Sequence, residues 1–297
     1  MKRKSFIVPA GKFALELGSR TLIMGIINIT TDSFSKDGLL KNINNCSLVS
    51  RSALDLAKKM KASGADIIDI GAESTRPGAK PISAREELKR LIPVIESIDN
   101  QLHIPISVDT YKSEVATKVI EAGASIINNI KACDAKINRK IATLCAKKNK
   151  ALIIMHMRGV PLNMQQYTKY GSLISDIKNE LKKAIAVAKQ AGLSFKNIII
   201  DPGIGFAKTL SQNLEIIKRL AEFASLGRPI LIGVSRKSFI GKVLNLDEKN
   251  RLFGTAASVA LAIANGAHIV RVHDVREMQQ VAHLTDAILN PSNYPAC

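Results

Sequence analysis

Eight short apolar runs recur along the chain, and they are continuous rather than alternating. They are "TLIMGIIN" (21–28), "DIIDIG" (66–71), "IPISVD" (104–109), "SIINNI" (125–130), "ALIIMH" (151–156), "NIIID" (197–201), "PILIGVS" (229–235) and "HIVRVHD" (268–274). Unbroken β-branched runs of this length mark strands buried on both faces, as in a parallel sheet. Between them lie helical patterns such as "SLVSRSALDLAKKMKASG", "SAREELKRLIPVIESI", "KSEVATKVIEAG" and "DIKNELKKAIAVAKQAG". Several end in Gly just before the next strand, as a C-terminal cap does. Ser83 with Glu86 three residues on fits a capping box. About eight strands alternating with about eight helices predict a (β/α)8 TIM barrel, a fold of about 250 residues. Residues 1–18, "MKRKSFIVPAGKFALELG", are expected to form a short N-terminal β-hairpin that closes the bottom of the barrel. No Pro/Ser-rich linker interrupts the rhythm, so residues 1–297 read as a single domain. A doubly wound open sheet is the alternative, and the strand count and even spacing favour closure.

Composition narrows the class further. Hydrophobic residues make up 46% and charged residues 23%, an ordinary globular balance. The formal net charge of +18 suits acidic partners. Much of the excess, however, lies in runs such as "AKKMK", "AKKNK" and "ELKKA", where lysine solvates an outer helix face. Aromatics are only 4% and Trp is absent, which argues against a base-stacking platform for single strands. Cys46, Cys133, Cys145 and Cys297 form no CxxC pair and no zinc-type spacing with His. They read as reduced thiols of a cytoplasmic protein. The apolar run after the basic opening is too short for a signal peptide, and no stretch reaches the roughly 18 apolar residues of a membrane span.

The strands share a second property: each ends in polar or charged residues. These are Asn28, Glu73 to Gly78, Asp109, Asn128, His156, Asp201, Ser235 to Lys237, and Arg271 with His273. In a barrel these points converge on the C-terminal face, where the site is built. Any one of them alone reads as a cap or turn former. Asp201, closing "NIIID", raises that choice most sharply: a turn acid, or a hook at the bottom of a pocket. As a ring, the acids, the Asn and the Lys suit a flat heterocycle with donors and acceptors on its edges. Charge-assisted hydrogen bonds of that kind are worth ~1.5–3 kcal/mol each. Arg271 and His273 share one side of a strand and, with Thr75 and helix N-termini, suit an anion such as phosphate.

Six segments resemble the motif set of the dihydropteroate synthase family. They are "MGIINITTDSFSKDG" (24–38), "GAESTRPGA" (71–79), "ISVDTYK" (106–112), "DPGIGFAK" (201–208), "GVSRKSFIG" (233–241) and "RVHDV" (271–275). The resemblance runs from about residue 6 to residue 289, in order. It implies a (β/α)8 barrel, a homodimer, and Mg2+ used in joining a pterin diphosphate to 4-aminobenzoate. It further implies that Asp109, Asn128, Asp201 and Lys237 hold the pterin, with Met155 packed beside it. Asn28 is implied to bind Mg2+ with the diphosphate, and Thr75, Arg271 and His273 to contact the diphosphate. Phe34, Arg76, Pro77 and Ser238 lie near the aminobenzoate, the pocket sulfonamides occupy. Asp109, Lys237 and Arg271 are the implied catalytic set. The expected partners are these small molecules, with no nucleic acid and no membrane.

Three positions depart from the family pattern: Thr31 for the usual Pro, Asn129 for an Asp, and Ala207 for a Gly. None is a direct ligand. His156 reads as a positioned pocket-wall or core residue. The loops 29–40 and 74–82 are expected to be mobile in the empty enzyme and to close around the second substrate. A pterin-dependent methyltransferase would share the barrel and the hooks but not "TDSFS", "STRPGA" and "SRKSFIG". A nucleic-acid binder would use the charge but has no need of the ring of carboxylates.

Overall fold

The computed structural model describes residues 3–30 and 46–293. A β-hairpin comes first, with β1 (Phe6–Ala10) antiparallel to β2 (Phe13–Leu17). Eight parallel strands follow: β3 (Leu22–Asn28), β4 (Ile67–Gly71), β5 (Ile106–Asp109), β6 (Ile126–Asn129), β7 (Ala151–Met155), β8 (Ile198–Asp201), β9 (Leu231–Ile232) and β10 (Ile269–Val272). Their order in the sheet is β8-β7-β6-β5-β4-β3-β10-β9. A parallel bridge between Ile200 and Ile230 joins the two ends, and the Ile200 amide donates to Pro229 O at 3.0 Å. The sheet is therefore closed, and the open-sheet alternative falls away.

Helices α1 (Cys46–Ala62), α2 (Ala84–Gln101), α3 (Ser113–Glu121), α4 (Ala135–Lys147), α5 (Leu173–Gln190), α6 (Leu210–Lys218), α7 (Ser238–Leu244), α8 (Leu252–Ala264) and α9 (Val275–Leu289) surround the barrel. The described residues thus hold one helix more than the eight expected: α7, a short segment inserted between β9 and α8. The run 229–235 yields only two strand residues, because Gly233 onward leaves the ladder to shape the mouth. The helix ends follow the sequence signals. Gly64 and Gly192 take φ of +97° and +91° just past α1 and α5. Asp134 caps α4 by accepting from the Lys136 and Ile137 amides. The capping box expected at Ser83 forms by half: Ser83 accepts from the Glu86 amide, while the Glu86 carboxylate reaches Arg90 one turn on at 2.9 Å. A full box forms at Thr209 and Gln212 instead, at the start of α6.

Alternation along each strand sorts the residues into two faces. Ile68, Ile70, Ile127, Ile154 and Ile200 face the helices in the main core. The opposite face supplies Leu22, Met24, Ile67, Ile126, Ile153, Ile199, Leu231 and Ile269, which fill the barrel interior. The hairpin packs Val8, Ala10, Leu15 and Leu17 against that inner layer, as expected of a plug at the barrel bottom. Two residues further along each strand, the same inward face carries Asp69, Asn128, Met155, Asp201, Gly233 and Arg271. The polar ring thus follows from a period of two above an apolar plug.

Candidate active site

Asp201 closes β8, with 5% of its surface exposed. Its Oδ1 accepts the Gly203 amide at 2.7 Å, and its Oδ2 takes no hydrogen bond from the described residues. The turn reading of this acid is met through Oδ1, while Oδ2 stays unengaged among the described residues. The turn needs Gly203, where an added Cβ would sit 2.0 Å from His156 O. Burial pushes the Asp201 carboxyl upward, while the Gly203 amide and the lysines at 237 and 208 act the other way. Asn128 on β6 is 3% exposed, and its Oδ1 has no partner among the described residues. An orphaned buried acceptor is costly in an empty protein and natural in a binding site.

Lys237 stands at the N-cap of α7. Its Nζ donates to Ile204 O and lies 4.4 Å from the centre of the Phe206 ring. Burial lowers its pKa to about 8, against the pull of Asp201. Met155, Ile130, Phe206, Ala207, Met157 and Met164 form a separate apolar cluster beside these hooks. That cluster gives a flat ring a wall to pack on. Ala207, the departure from glycine, takes φ of +52° within it, a left-handed conformation that costs an alanine roughly 1–2 kcal/mol.

On the other side of the mouth, Asp109 at the end of β5 meets Arg271 of β10 at 3.4 Å. Burial raises the Asp109 carboxyl to about 7, since the Arg271 guanidinium only partly offsets it and Asp69, Glu87 and Glu73 add repulsion. His273 Nδ1 lies within hydrogen-bond distance of Ser235 Oγ at 3.0 Å, and its backbone amide donates to the same oxygen. Burial, with Arg271 and Arg236 nearby, lowers its pKa to about 3. Nε2 makes no hydrogen bond among the described residues. Asn28 ends β3 beside Gly71; a Cβ at Gly71 would lie 3.6 Å from both Asn28 Oδ1 and Asp109 Cβ.

The remaining expected residues are more peripheral. Thr75 is half-buried, and Arg76 and Pro77 are exposed in the loop after β4. Arg76 pairs with Glu248 at 2.7 Å, beyond α7. Ser238 is exposed at the first position of α7. Phe34 and Thr31, with most of the loop 29–40, lie outside the described residues. Asn129 is fully buried; its Oδ1 accepts the Lys131 amide at 3.1 Å, and its Nδ2 has no partner among the described residues.

The sequence did not single out Asp69 in this role. It has no exposed surface, sits mid-strand in β4, and binds Arg271 through Oδ2 at 2.6 Å. Its signal was present: an acid flanked by isoleucines in a buried strand requires a partner. Lys112 was also missed; it joins Glu73 and the buried Glu87 at 2.5 Å each and ties the root of the loop 74–82 to α2. His156 is fully buried beneath the Asp201 turn. Its Nε2 faces Glu180 at 3.0 Å and its Nδ1 faces the buried Lys208 at 3.1 Å. Burial and the nearby Lys208 lower its pKa to about 4, so it is a neutral core residue. Cys133, His156 and Glu180 place ligand-type atoms within 4.8 Å of one another. Lys208 and Arg158 crowd that cluster with positive charge, and burial pushes the Cys133 thiol up to about 11. His156 and Lys208 tie this cluster to the underside of the Asp201 turn.

A closed parallel barrel that gathers buried carboxylates, an amide, a lysine and an arginine around one mouth is the architecture of a barrel enzyme. The chain belongs to the pterin-binding enzyme family, whose model matches residues 24–273. Relatives in that family include dihydropteroate synthases. It is 46% identical over 277 residues to the dihydropteroate synthase of Bacillus subtilis, covering 93% of this chain and 92% of the relative. The Yersinia pestis dihydropteroate synthase, solved with a sulfonamide drug complex, superposes with a TM-score of 0.87 at 37% identity, covering 96% of this chain and all of that one. The Clostridium difficile dihydropteroate synthase, solved in the presence of pteroic acid, gives 0.84 at 40% identity, with 92% and 98% covered. No helix among the described residues is long and apolar enough to cross a membrane.

Proposed function

We propose that the chain condenses (7,8-dihydropterin-6-yl)methyl diphosphate with 4-aminobenzoate, giving 7,8-dihydropteroate and diphosphate for folate synthesis. One observation carries the reading. Asp109, Asn128 and Asp201 from the ends of β5, β6 and β8 and Lys237 from the N-cap of α7 surround one mouth beside an apolar wall, with Asn128 Oδ1 buried and unpartnered and Asp201 Oδ2 unengaged among the described residues. Asp201 Oδ2 accepts from the amino group and adjacent ring N–H of the pterin, and Asn128 accepts and donates beside it. Lys237 donates to the ring carbonyl or a ring nitrogen, and Met155 packs against the ring face. On the far side Arg271, Thr75 and His273 take the diphosphate.

The chemistry follows from charge. The C–O bond between the methylene and the diphosphate breaks, and cation character spreads from that carbon into the pterin. The Asp109 carboxylate stabilises it electrostatically. The neutral arylamine then forms the new C–N bond and releases a proton to solvent, so no strong general base is required. Phe34, Arg76, Pro77 and Ser238 are proposed to line the aminobenzoate pocket. Asn28 suits Mg2+, because a neutral amide oxygen plus substrate phosphates is the kind of donor set this ion accepts. Bound there, Mg2+ would supply charge neutralisation to the leaving diphosphate.

We further propose a soluble homodimer. Phe253 and Leu261 on α8 and Leu284 and Ile288 on α9 are 85%, 58%, 63% and 69% exposed, at helical spacing on two packed helices. Such a stripe fits a second copy. Leu284→Glu should convert the dimer to monomer in sedimentation, and an unchanged sedimentation coefficient would remove that face from consideration. The catalytic reading is tested by incubating the protein with both substrates and following diphosphate and dihydropteroate together. Equal yields that require both substrates are expected. Diphosphate release that ignores aminobenzoate would point to a hydrolase instead.

A further inference from the structure

Asp69 lies one inward step below the residues that face the pterin, since it precedes Gly71 by two on β4. Gly71 is in register with Asn28 and with Asp109, and Asp69 with Ile26 and Ser107. The acid is wholly enclosed; among the described residues its one close charged partner is Arg271, engaged through Oδ2, while Oδ1 has no hydrogen-bond partner. Both Nε and Nη2 of that guanidinium lie 2.6 Å from the same oxygen, Asp69 Oδ2. The longer 3.4 Å contact reaches Asp109, and Nη1 makes no hydrogen bond among the described residues.

We propose that Asp69 is a positioning residue for diphosphate binding: it anchors one edge of the Arg271 guanidinium, so that the other edge is presented to the anion and Asp109 is left free for the pterin. The inference rests on the reading of Arg271 as a diphosphate contact. Three features require it. A buried carboxylate is retained only with a partner that repays its desolvation. An arginine fork fixes direction as well as charge, so anchoring Nε and Nη2 sets where Nη1 points. Without that anchor, the guanidinium is free to turn onto Asp109, the other carboxylate in reach.

The test compares Asp69→Asn with wild type by calorimetric titration, using inorganic diphosphate and, separately, 6-hydroxymethylpterin, which carries no phosphate. Diphosphate affinity is expected to fall roughly tenfold to a hundredfold, the equivalent of one charge-assisted contact, while the pterin changes less than about threefold. A general loosening of the barrel would weaken both alike and lower the melting temperature, and that result overturns the proposal. The double variant Asp69→Asn/Arg271→Gln removes both buried charges together and avoids leaving one unpaired. Against Arg271→Gln alone it should show the same diphosphate affinity. A further loss in the double variant means that Asp69 acts by another route, and this comparison stands even if Asp69→Asn does not fold. Neither titration needs turnover, so an inactive wild type would refute the assigned reaction and leave the Asp69 result readable.

Discussion

Replacing Asp201 by Asn separates the two jobs of this side chain. The Gly203 amide already donates to Oδ1 at 2.7 Å. In the variant the carbonyl oxygen of the carboxamide keeps that bond, because it is the only acceptor available. The NH2 group is then forced toward the mouth, where the pterin amino group and ring N–H also donate. Two charge-assisted hydrogen bonds at ~1.5–3 kcal/mol each are lost, a total of roughly 3–6 kcal/mol or about 10² to 10⁴ in affinity. The fold should tolerate the change. The turn bond survives, and burial already disfavours the ionised acid. Isothermal titration with 6-hydroxymethylpterin reads the affinity, and a thermal melt reads the fold. Affinity within about threefold of wild type in a well-folded variant would refute the hook and leave Asp201 only its turn.

Lys237→Met keeps the stem beside Phe206 and removes an ammonium whose pKa burial lowers to about 8. Titration should show pterin binding weakened by about tenfold or more, with a melting temperature equal to or above wild type. Asp109 must be ionised to stabilise the cation, and its pKa stands at about 7. The rate at low substrate should therefore fall as pH drops through about 7, and a pH profile flat from 5 to 8 would contradict that role. The same shift affects stability with the opposite sense. The folded-state value exceeds the unfolded 3.8, so this group's contribution is complete below about pH 4 and lost as pH rises through 7. Aminobenzoate should bind poorly to the free protein and well once pterin, diphosphate and Mg2+ are present; equal calorimetric affinity in both conditions would mean a preformed pocket.

Much of this molecule was legible in the sequence because parallel barrels expose a regular code. Runs such as "SIINNI" and "ALIIMH" are buried on both faces, so they contain no alternation to misread, and their last inward residues had to meet at one end. The hairpin was legible for a related reason, since a closed barrel needs an apolar plug. What escaped depended on pairings between distant segments. Asp69 looked like one more strand residue because its partner, Arg271, is 202 positions away. Glu180 lies on α5 among outward lysines, and only the fold turns it toward His156. The half-formed box at Ser83 shows the same limit on a smaller scale: Glu86 had two partners within one turn, and Arg90 won. The extra helix α7 was hidden because "SRKSFIGKVL" reads as a continuation of the strand's loop.

A crystal structure with the pterin substrate bound tests the central claim most directly. The heterocycle is expected in the barrel mouth, its amino-pyrimidine edge within hydrogen-bond distance of Asp201 Oδ2 and Asn128, Lys237 on its carbonyl or ring nitrogen, and its face against Met155. The diphosphate should point to Arg271 and His273. A pterin found elsewhere on the protein, or seated in the mouth with Asp201 and Asn128 making no contact to it, would contradict the account.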